Sequence, residues 1–197
     1  ATFSFDKKLV ILFNPQEQAW VWDFETGRFG RLDLSDGSCV VFSARSPDGK
    51  RIVTSCSSIG ARVWDLESGR PVTGVLKHDY VVEHVAYSSD GRLVATASKD
   101  ATARVWEAAT GEPVTPYLNH ADRVTFVAFS ADNRRVVTTG YDGIAQVWDV
   151  SRGMAAGRTR TIPPWRPTSR VAGTPLVRTA QTCCSTPFTE AVTPGPA

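Results

Sequence analysis

Short apolar runs alternate with polar turns along residues 1–150. The clearest runs are Val81–Ser88 and Val124–Ser130, which are rich in the β-branched and aromatic residues typical of strands. The turns SSDG and SADN follow these runs, and they place Gly91 and Asn133 where a tight hairpin requires a positive φ. Because helical periodicity is absent from this region, the pattern predicts an all-β fold.

Further short runs follow each of these two strands, so that the predicted unit has four antiparallel strands. The last run of the unit contains prolines, which suit an outer edge strand. After Asp149 the pattern stops, and we expect the final unit to lack its outer strand. The predicted runs are Leu93–Ser98, Ala103–Trp106 and Pro113–Leu118 in one unit, and Val136–Thr139 and Ala145–Trp148 in the next.

The chain repeats itself every 42 residues. A Trp–acid pair, a glycine, a turn aspartate and a histidine all keep this spacing without insertion, which indicates tandem copies of one unit. The landmarks are Trp22-Asp23, Trp64-Asp65, Trp106-Glu107 and Trp148-Asp149; Gly27, Gly69, Gly111 and Gly153; Asp6, Asp48, Asp90 and Asp132; His78 and His120.

The repeated unit resembles the WD40 repeat, most clearly in the stretch His78–Pro113. The resemblance covers roughly residues 1–150 and implies that each copy forms one blade of a β-propeller. We therefore expect a partial propeller of about four four-stranded antiparallel blades. The sequence of the repeats is most similar to bacterial WD40 modules that are fused to signalling proteins.

The resemblance also implies a buried hydrogen-bond chain of His, Ser or Thr, Asp and Trp in a blade. In one copy His78, Ser98 or Thr96, Asp100 and Trp106 match it, and in the next His120, Thr138, Asp142 and Trp148 match it. A buried indole N–H and a buried imidazole both need partners, which such a chain supplies. The set His78, Ser98 and Asp100 would also suit an activated nucleophile. Its repetition in two copies favours architecture, so we predict no catalytic residue.

The first two copies depart from this pattern, and we expect their blades to lack part of the hydrogen-bond set. The departures are Lys7 in place of the turn glycine, Asp36 in place of the histidine, Ser58 in place of the turn aspartate, and Arg45 in place of the aromatic residue found as Tyr87 and Phe129.

In the resembled fold, the loops before the inner strands share one face with the tight turns before the Trp strands. Aromatic residues and arginine are enriched at interface hot spots. Tyr80, Arg123 and Tyr141 are therefore the strongest candidates for partner binding. The whole predicted face is Asp79, Tyr80, Lys99, Asp122, Arg123 and Tyr141.

Charge divides the chain into two parts. Residues 1–150 carry a net charge of −3 and residues 151–197 carry +5. A mildly acidic body does not favour nucleic-acid binding, which uses a concentrated basic face. The segment 151–197 is rich in Pro, Thr and Arg and predicts a disordered tail. This segment is either a natural extension or the product of a gene read out of frame, with the true repeat continuing in another frame.

Cysteines and histidines offer no metal site. Cys39 and Cys56 lie in apolar runs where a buried free thiol is common, and Cys183 and Cys184 lie in the tail. His84 stands beside Glu83 without a ligand cluster. We expect no metal, no cofactor, no membrane span and a reducing, cytoplasmic compartment.

Two classes of function remain. The favoured hypothesis is a non-catalytic scaffold that binds a protein or peptide, within a larger bacterial signalling protein. The alternative is a propeller enzyme, or an enzyme-associated domain, with a pocket at the channel mouth. Since repeat arrays need polar capping units at their ends, we also expect marginal stability or self-association through unpaired blade faces.

Overall fold

The computed structural model describes residues 2–3, 9–13, 18–23, 27, 29–33, 40–56, 60–156 and 160–161. The chain divides into two units, Ala1–Pro164 and Trp165–Ala197, and all the described residues belong to the first. Within these residues every regular element is a strand. The predicted all-β fold is therefore confirmed.

Four antiparallel sheets follow one another along the chain, and the first four strands of each are paired in sequence order. Sheet A contains β1 (Thr2–Phe3), β2 (Leu9–Phe13), β3 (Gln18–Asp23) and β4 (Phe29–Asp33). Sheet B contains β5 (Val40–Arg45), β6 (Arg51–Cys56), β7 (Gly60–Asp65) and β8 (Leu76–Lys77). Sheet C contains β9 (Val82–Tyr87), β10 (Leu93–Ser98), β11 (Thr102–Glu107) and β12 (Leu118–Asn119). Sheet D contains β13 (Val124–Phe129), β14 (Arg135–Gly140), β15 (Ile144–Asp149), β16 (Met154–Ala155) and β17 (Arg160–Thr161).

The outer strand of sheet D is present, so the prediction that the last copy lacks it is wrong. Both β16 and β17 pair with β15, with Trp148 opposite Ala155 and Ile144 opposite Thr161. Sheet C has the same pairs 42 residues earlier, Trp106 with Pro113 and Thr102 with Asn119. The outer strand of sheet D pairs through backbone hydrogen bonds. It therefore forms without the prolines and β-branched residues from which the outer strand of sheet C was predicted.

The predicted hairpin chemistry is borne out. Gly91 has φ 71° and Asn133 has φ 57°, and both follow the Asp of their turn. Asn and Gly are the residues that adopt this left-handed conformation at least cost. The turn hydroxyls of Ser88 and Ser130 each donate to the turn aspartate at 2.6 Å, which closes the hairpin from within.

The core lies between the sheets. One cluster joins Val53, Val63 and Leu76 of sheet B to Val85 and Trp106 of sheet C. A second cluster joins sheet C to sheet D. The inner strands β5, β9 and β13 stand side by side where the sheets meet. Over the described residues the sheets form an open arc and not a closed ring.

Sheets A and B are joined by an ion pair. Arg45 stands where sheets C and D have Tyr87 and Phe129, and its guanidinium contacts the Asp23 carboxylate at 2.6 Å. Both side chains are about nine-tenths buried. The departure from the repeat at Arg45 therefore supplies a contact between two copies.

Several predictions concern residues outside the described part of the chain. They are the departures at Lys7, Asp36 and Ser58, the thiol of Cys39, the cysteines Cys183 and Cys184, and the disorder of the tail beyond residue 161.

Candidate functional site

Three of the predicted face residues lie together at the start of sheet C. Asp79 and Tyr80 precede β9, and Lys99 follows β10 in the neighbouring turn, where its backbone N–H donates to the Val81 carbonyl at 2.9 Å. The Tyr80 side chain is 62% exposed. The Lys99 ammonium lies 3.3 Å from the Glu83 carboxylate, so its charge is paired at the surface.

A β-bulge explains why Glu83 reaches Lys99. Ser98 is paired with Val82 and Ala97 with His84, so Glu83 is the extra residue of β9. A bulge turns one side chain out of the regular alternation. The same irregularity occurs at Thr125 in β13, which has no acidic group to offer.

The other three predicted residues lie at the equivalent place in sheet D. The Arg123 guanidinium lies over the Tyr141 ring, 3.6 Å from its centroid. The Tyr141 N–H donates to the Arg123 carbonyl at 2.9 Å, so the two loops are also joined through the backbone. Asp122 accepts the Arg123 N–H at 2.7 Å. Tyr141 is nevertheless 63% exposed, which leaves one face of the stacked pair to a partner.

A buried hydrogen-bond chain runs through sheet C directly beneath these loops. The Trp106 indole N–H donates to Thr96 Oγ1 at 2.9 Å, and Thr96 Oγ1 lies 2.7 Å from His78 Nε2. His78 Nδ1 lies 2.8 Å from Asp100 Oδ2. Because the Asp100 carboxylate only accepts, Nδ1 carries the proton and Nε2 accepts from the Thr96 hydroxyl. Each member therefore donates to the next, from the indole to the carboxylate.

The pKa values fit this arrangement. Burial lowers the pKa of His78 below its ordinary value, against the opposing influence of Asp100. Burial would raise the pKa of Asp100, but the hydrogen bond from Thr102 and the neighbouring His78 outweigh it and hold that pKa low. At neutral pH the hydrogen-bond chain thus ends in a neutral imidazole and an ionised carboxylate.

Sheet D repeats the chain atom for atom. Trp148 Nε1 donates to Thr138 Oγ1 at 2.8 Å, which lies 2.7 Å from His120 Nε2, and His120 Nδ1 lies 2.8 Å from Asp142 Oδ2. In sheet B the Trp64 indole donates to Thr54 at 2.8 Å, while the positions of Asp36 and Ser58 lie outside the described residues.

Thr96, and not Ser98, connects the histidine to the tryptophan. The two residues lie on the same face of β10, but the Ser98 hydroxyl donates to the carbonyls of Tyr80 and Val81 at 3.2 Å. The repeat spacing carried the signal that separates them, because Thr138 lies 42 residues after Thr96 and Gly140 lies 42 residues after Ser98. The Ser98 hydroxyl is therefore bound to the loop backbone, and it is not the hydroxyl that the His78 ring contacts.

The sequence interpretation missed a column of rings along the inner strands. His84 lies between Phe42 and Phe126, with ring centroids 4.4 Å and 4.6 Å away. Each ring is 42 residues from the next, so the repeat spacing carried the signal. His84 is 8% exposed, and burial lowers its pKa to about 4. It is a packed aromatic ring in the core of the arc.

A cavity of about 340 Å³ lies at the opposite ends of β9 and β13 from the predicted face. Its lining contains no carboxylate, and its ionisable groups are Arg45, His84 and Tyr87. Burial raises the pKa of the Tyr87 hydroxyl. The groups of this lining that could exchange a proton are therefore the His84 imidazole and the Tyr87 hydroxyl. Across the described ranges, no cluster of His, Cys, Asp or Glu could hold a metal ion.

No helix in the part of the chain that the structure describes is long and apolar enough to cross a membrane.

The sheets, their shared register and the repeated Trp–Thr–His–Asp chain together define a β-propeller repeat protein. The family model "WD domain, G-beta repeat" matches residues 69–107 and 111–149. These two stretches are therefore identified as WD40 repeats, and their fold is of the protein-interaction type.

Solved structures with a similar fold include two computationally designed propeller proteins. The designed Ika8 protein superposes with a TM-score of 0.65 at 24% identity, over 77% of this chain and 46% of that chain. The designed Ika4 protein superposes with a TM-score of 0.61 at 24% identity, over 74% of this chain and 88% of that chain. This chain thus spans less than half the length of Ika8. A comparison with curated proteins finds no match.

Proposed function

We propose that this chain is a non-catalytic interaction module that binds a protein or peptide through the face formed by Asp79, Tyr80, Lys99, Asp122, Arg123 and Tyr141. The observation that carries the proposal is the stacked pair of half-buried Arg123 and Tyr141, in which Tyr141 is held in place and yet 63% exposed. Arginine and tyrosine at such a position are the residue types that dominate binding energy at protein interfaces.

The hydrogen-bond chains support the proposal because they hold the loops of this face. Asp100 Oδ2 accepts the backbone N–H of Asp79 at 3.0 Å, and Asp142 Oδ2 accepts that of Ala121 at 3.2 Å. The carboxylate that ends each buried chain thus fixes the loop that leads to the inner strand. A partner that meets loops already ordered loses less of its binding energy to ordering.

Charge on the face is mixed, which favours a polar peptide or protein surface over a polyanion. Asp79 and Asp122 lie on the same face as Arg123, and Lys99 is paired with Glu83. A nucleic acid would meet carboxylates beside every cation on this face, and recognition of phosphate needs a concentrated basic patch.

We extend the proposal to a larger bacterial signalling protein in the cytoplasm. The first part rests on the resemblance of His78–Pro113 to bacterial modules, and the second on cysteines that form no disulfide framework. The alternative of an enzyme is disfavoured because the His–Asp pair of sheet C recurs in sheet D, and repetition favours an architectural role.

The test compares three forms of the chain as bait in extracts of cells that produce it. The binding variant carries Tyr80→Ala, Arg123→Ala and Tyr141→Ala. The matched control carries Arg92→Ala and Arg134→Ala, two exposed residues at the hairpins on the opposite ends of the strands. Quantitative mass spectrometry should find proteins retained by the wild type and the control but lost by the binding variant. If all retained proteins also bind that variant, this face is not the site.

A further inference from the structure

The two cations of the proposed binding face, Lys99 and Arg123, are held in different ways. The Lys99 ammonium lies 3.3 Å from the Glu83 carboxylate, so a partner meets a charge that is already paired. Arg123 takes part in none of the ion pairs that the described residues form with one another. Its positive charge is therefore the one that a partner on this face can pair with directly.

The repeat explains why the Arg123 charge is not paired within its own sheet. Thr125 lies 42 residues after Glu83, and its hydroxyl donates to a backbone carbonyl at 3.3 Å. Tyr141 lies 42 residues after Lys99. Where sheet C has an ion pair, sheet D thus has a threonine and an aromatic ring. The guanidinium of Arg123 lies over that ring, 3.6 Å from its centroid.

The contact with the Tyr141 ring occupies a flat face of the Arg123 guanidinium. A separation of 3.6 Å is the contact distance of two flat groups, so the guanidinium lies on the ring and its N–H donors point outward in its own plane. Two such donors on one edge match the two oxygens of a carboxylate. Because the ring already fixes the orientation of the guanidinium, less side-chain freedom is lost when a carboxylate binds.

Acidic residues around the stacked pair limit the negative charge that it accepts. The Asp122 carboxylate accepts the backbone N–H of Arg123 at 2.7 Å, which fixes one negative charge beside the pair. Asp142 follows Tyr141 in the turn, and its carboxylate is bound to His120. A carboxylate carries one charge, whereas a phosphate monoester carries about two at neutral pH and meets stronger repulsion. The surroundings therefore favour a carboxylate over a phosphate.

We propose that the stacked pair of Arg123 and Tyr141 binds a carboxylate of the partner, so that the module recognises an acidic peptide or an acidic segment of a protein. The carboxylate lies in the plane of the guanidinium and accepts two of its N–H groups. Tyr80 of the neighbouring sheet, which is 62% exposed, offers an aromatic surface to the residues beside that acid. This inference rests on the proposed function, because it concerns the same face, and it adds the chemical group that the face selects.

The first test captures ligands from a mixture of short random synthetic peptides on the immobilised chain and identifies them by mass spectrometry. We expect the retained peptides to share an acidic group. Replacing that acid by its amide in a resynthesised peptide should weaken binding about tenfold, the value of a charged hydrogen bond at a partly exposed site. Amidation of the peptide C-terminus is the parallel arm, and the arm that loses affinity tells whether a side chain or a chain end supplies the carboxylate. Phosphoserine in place of the acid should bind more weakly.

The second test changes the stacked pair. Arg123→Met should remove the preference for the acidic peptide over its amide. Arg123→Lys keeps the charge but lacks the flat fork of donors, so it should restore only a small part of the preference. Tyr141→Leu should weaken binding of the acidic peptide, and Tyr141→Phe, which keeps the ring, should recover most of that loss. The matched control is Arg134→Met, an exposed arginine at the opposite end of the strands, which should bind as the wild type does.

The outcomes separate this inference from the proposed function. Peptides that need Tyr80 and Tyr141 but keep their affinity as amides would overturn the carboxylate and leave the proposed function standing. If no peptide is retained, or if all retained peptides bind the triple alanine form of Tyr80, Arg123 and Tyr141, the proposed function fails and this inference fails with it. Tighter binding of the phosphoserine peptide would overturn the choice of a carboxylate. Should Arg123→Met lose its strands by circular dichroism, the peptide substitutions measured on the wild-type chain still decide the matter.

Discussion

The carboxylate of Asp100 accepts the backbone N–H of Asp79 at 3.0 Å, although Asp79 itself is a surface residue. The same carboxylate ends the buried chain that begins at the Trp106 indole. One side chain therefore connects the packing between two sheets to the conformation of the loop that carries Tyr80. The conformation of the binding face therefore depends on hydrogen bonds to the core.

Asp100→Ala should loosen this loop and lower stability together. The buried His78 Nδ1–H loses its acceptor, which costs about 1–3 kcal/mol, and the more exposed Asp79 N–H loses its partner to solvent at a smaller cost. We expect the free energy of unfolding in urea to fall by roughly 2–3 kcal/mol. Amide exchange at Asp79 should accelerate about tenfold or more, which reports local opening.

The control for this prediction is Asp79→Ala, which keeps the backbone N–H and removes only an exposed carboxylate. Its stability should stay within about 0.5 kcal/mol of the wild type. Equal effects of the two substitutions would show that Asp100 does not hold the loop.

Ala101 sits in the left-handed region, with φ 67°, where sheet D has Gly143 with φ 72°. A side chain in this conformation meets steric resistance that glycine avoids. Ala101→Gly should therefore stabilise the chain by about 0.5–1 kcal/mol, and Gly143→Ala should destabilise it by about 1 kcal/mol. Urea unfolding of the two variants measures both, and the same sign for both would contradict the explanation.

The fold was predictable because each local sequence feature occurs in several copies of the repeat. The turn at Asp90–Gly91 and the turn at Asp132–Asn133 differ in sequence and share a left-handed residue. Period-two alternation, turn chemistry and the 42-residue spacing all favour the same strands, and this agreement between levels makes a sequence specific for its fold.

The site was less predictable, since it depends on contacts across sheets and along diagonals. Thr96 and Ser98 lie on one face of β10. The register with β11 sets Thr96 opposite Arg104, so that Trp106, two residues further along β11, reaches Thr96 diagonally. The outer strand of sheet D has none of the residues that marked the outer strand of sheet C. The role of Arg45 requires a partner 22 residues away on another sheet, which no pattern within one copy contains.

Arg45 and Asp23 should show strong coupling in a double-mutant cycle. Arg45→Met removes the guanidinium beside a buried carboxylate, and breaking such a pair costs about 3–5 kcal/mol. The double variant Arg45→Met with Asp23→Asn removes the charge as well, so it should regain about half of that loss. Unfolding free energies of the four forms in urea give the coupling. Additive effects would mean that the 2.6 Å contact does not join the two sheets energetically.

His84 should make stability depend on pH between neutrality and pH 4. Burial lowers its pKa to about 4 from an ordinary value of 6.5, so below pH 6.5 the unfolded chain binds a proton that the folded chain refuses. Stability therefore falls as the pH drops through this window, by an amount on the order of 3 kcal/mol for this one group. His84→Phe replaces the ring by the residue found at Phe42 and Phe126 and removes the titration. Chemical unfolding of both forms from pH 7 to pH 4 should show a shallower decline for His84→Phe, with His78, buried and shifted in the same direction, accounting for part of the remaining slope. Parallel curves would place the His84 imidazole in water and not between the two phenylalanine rings.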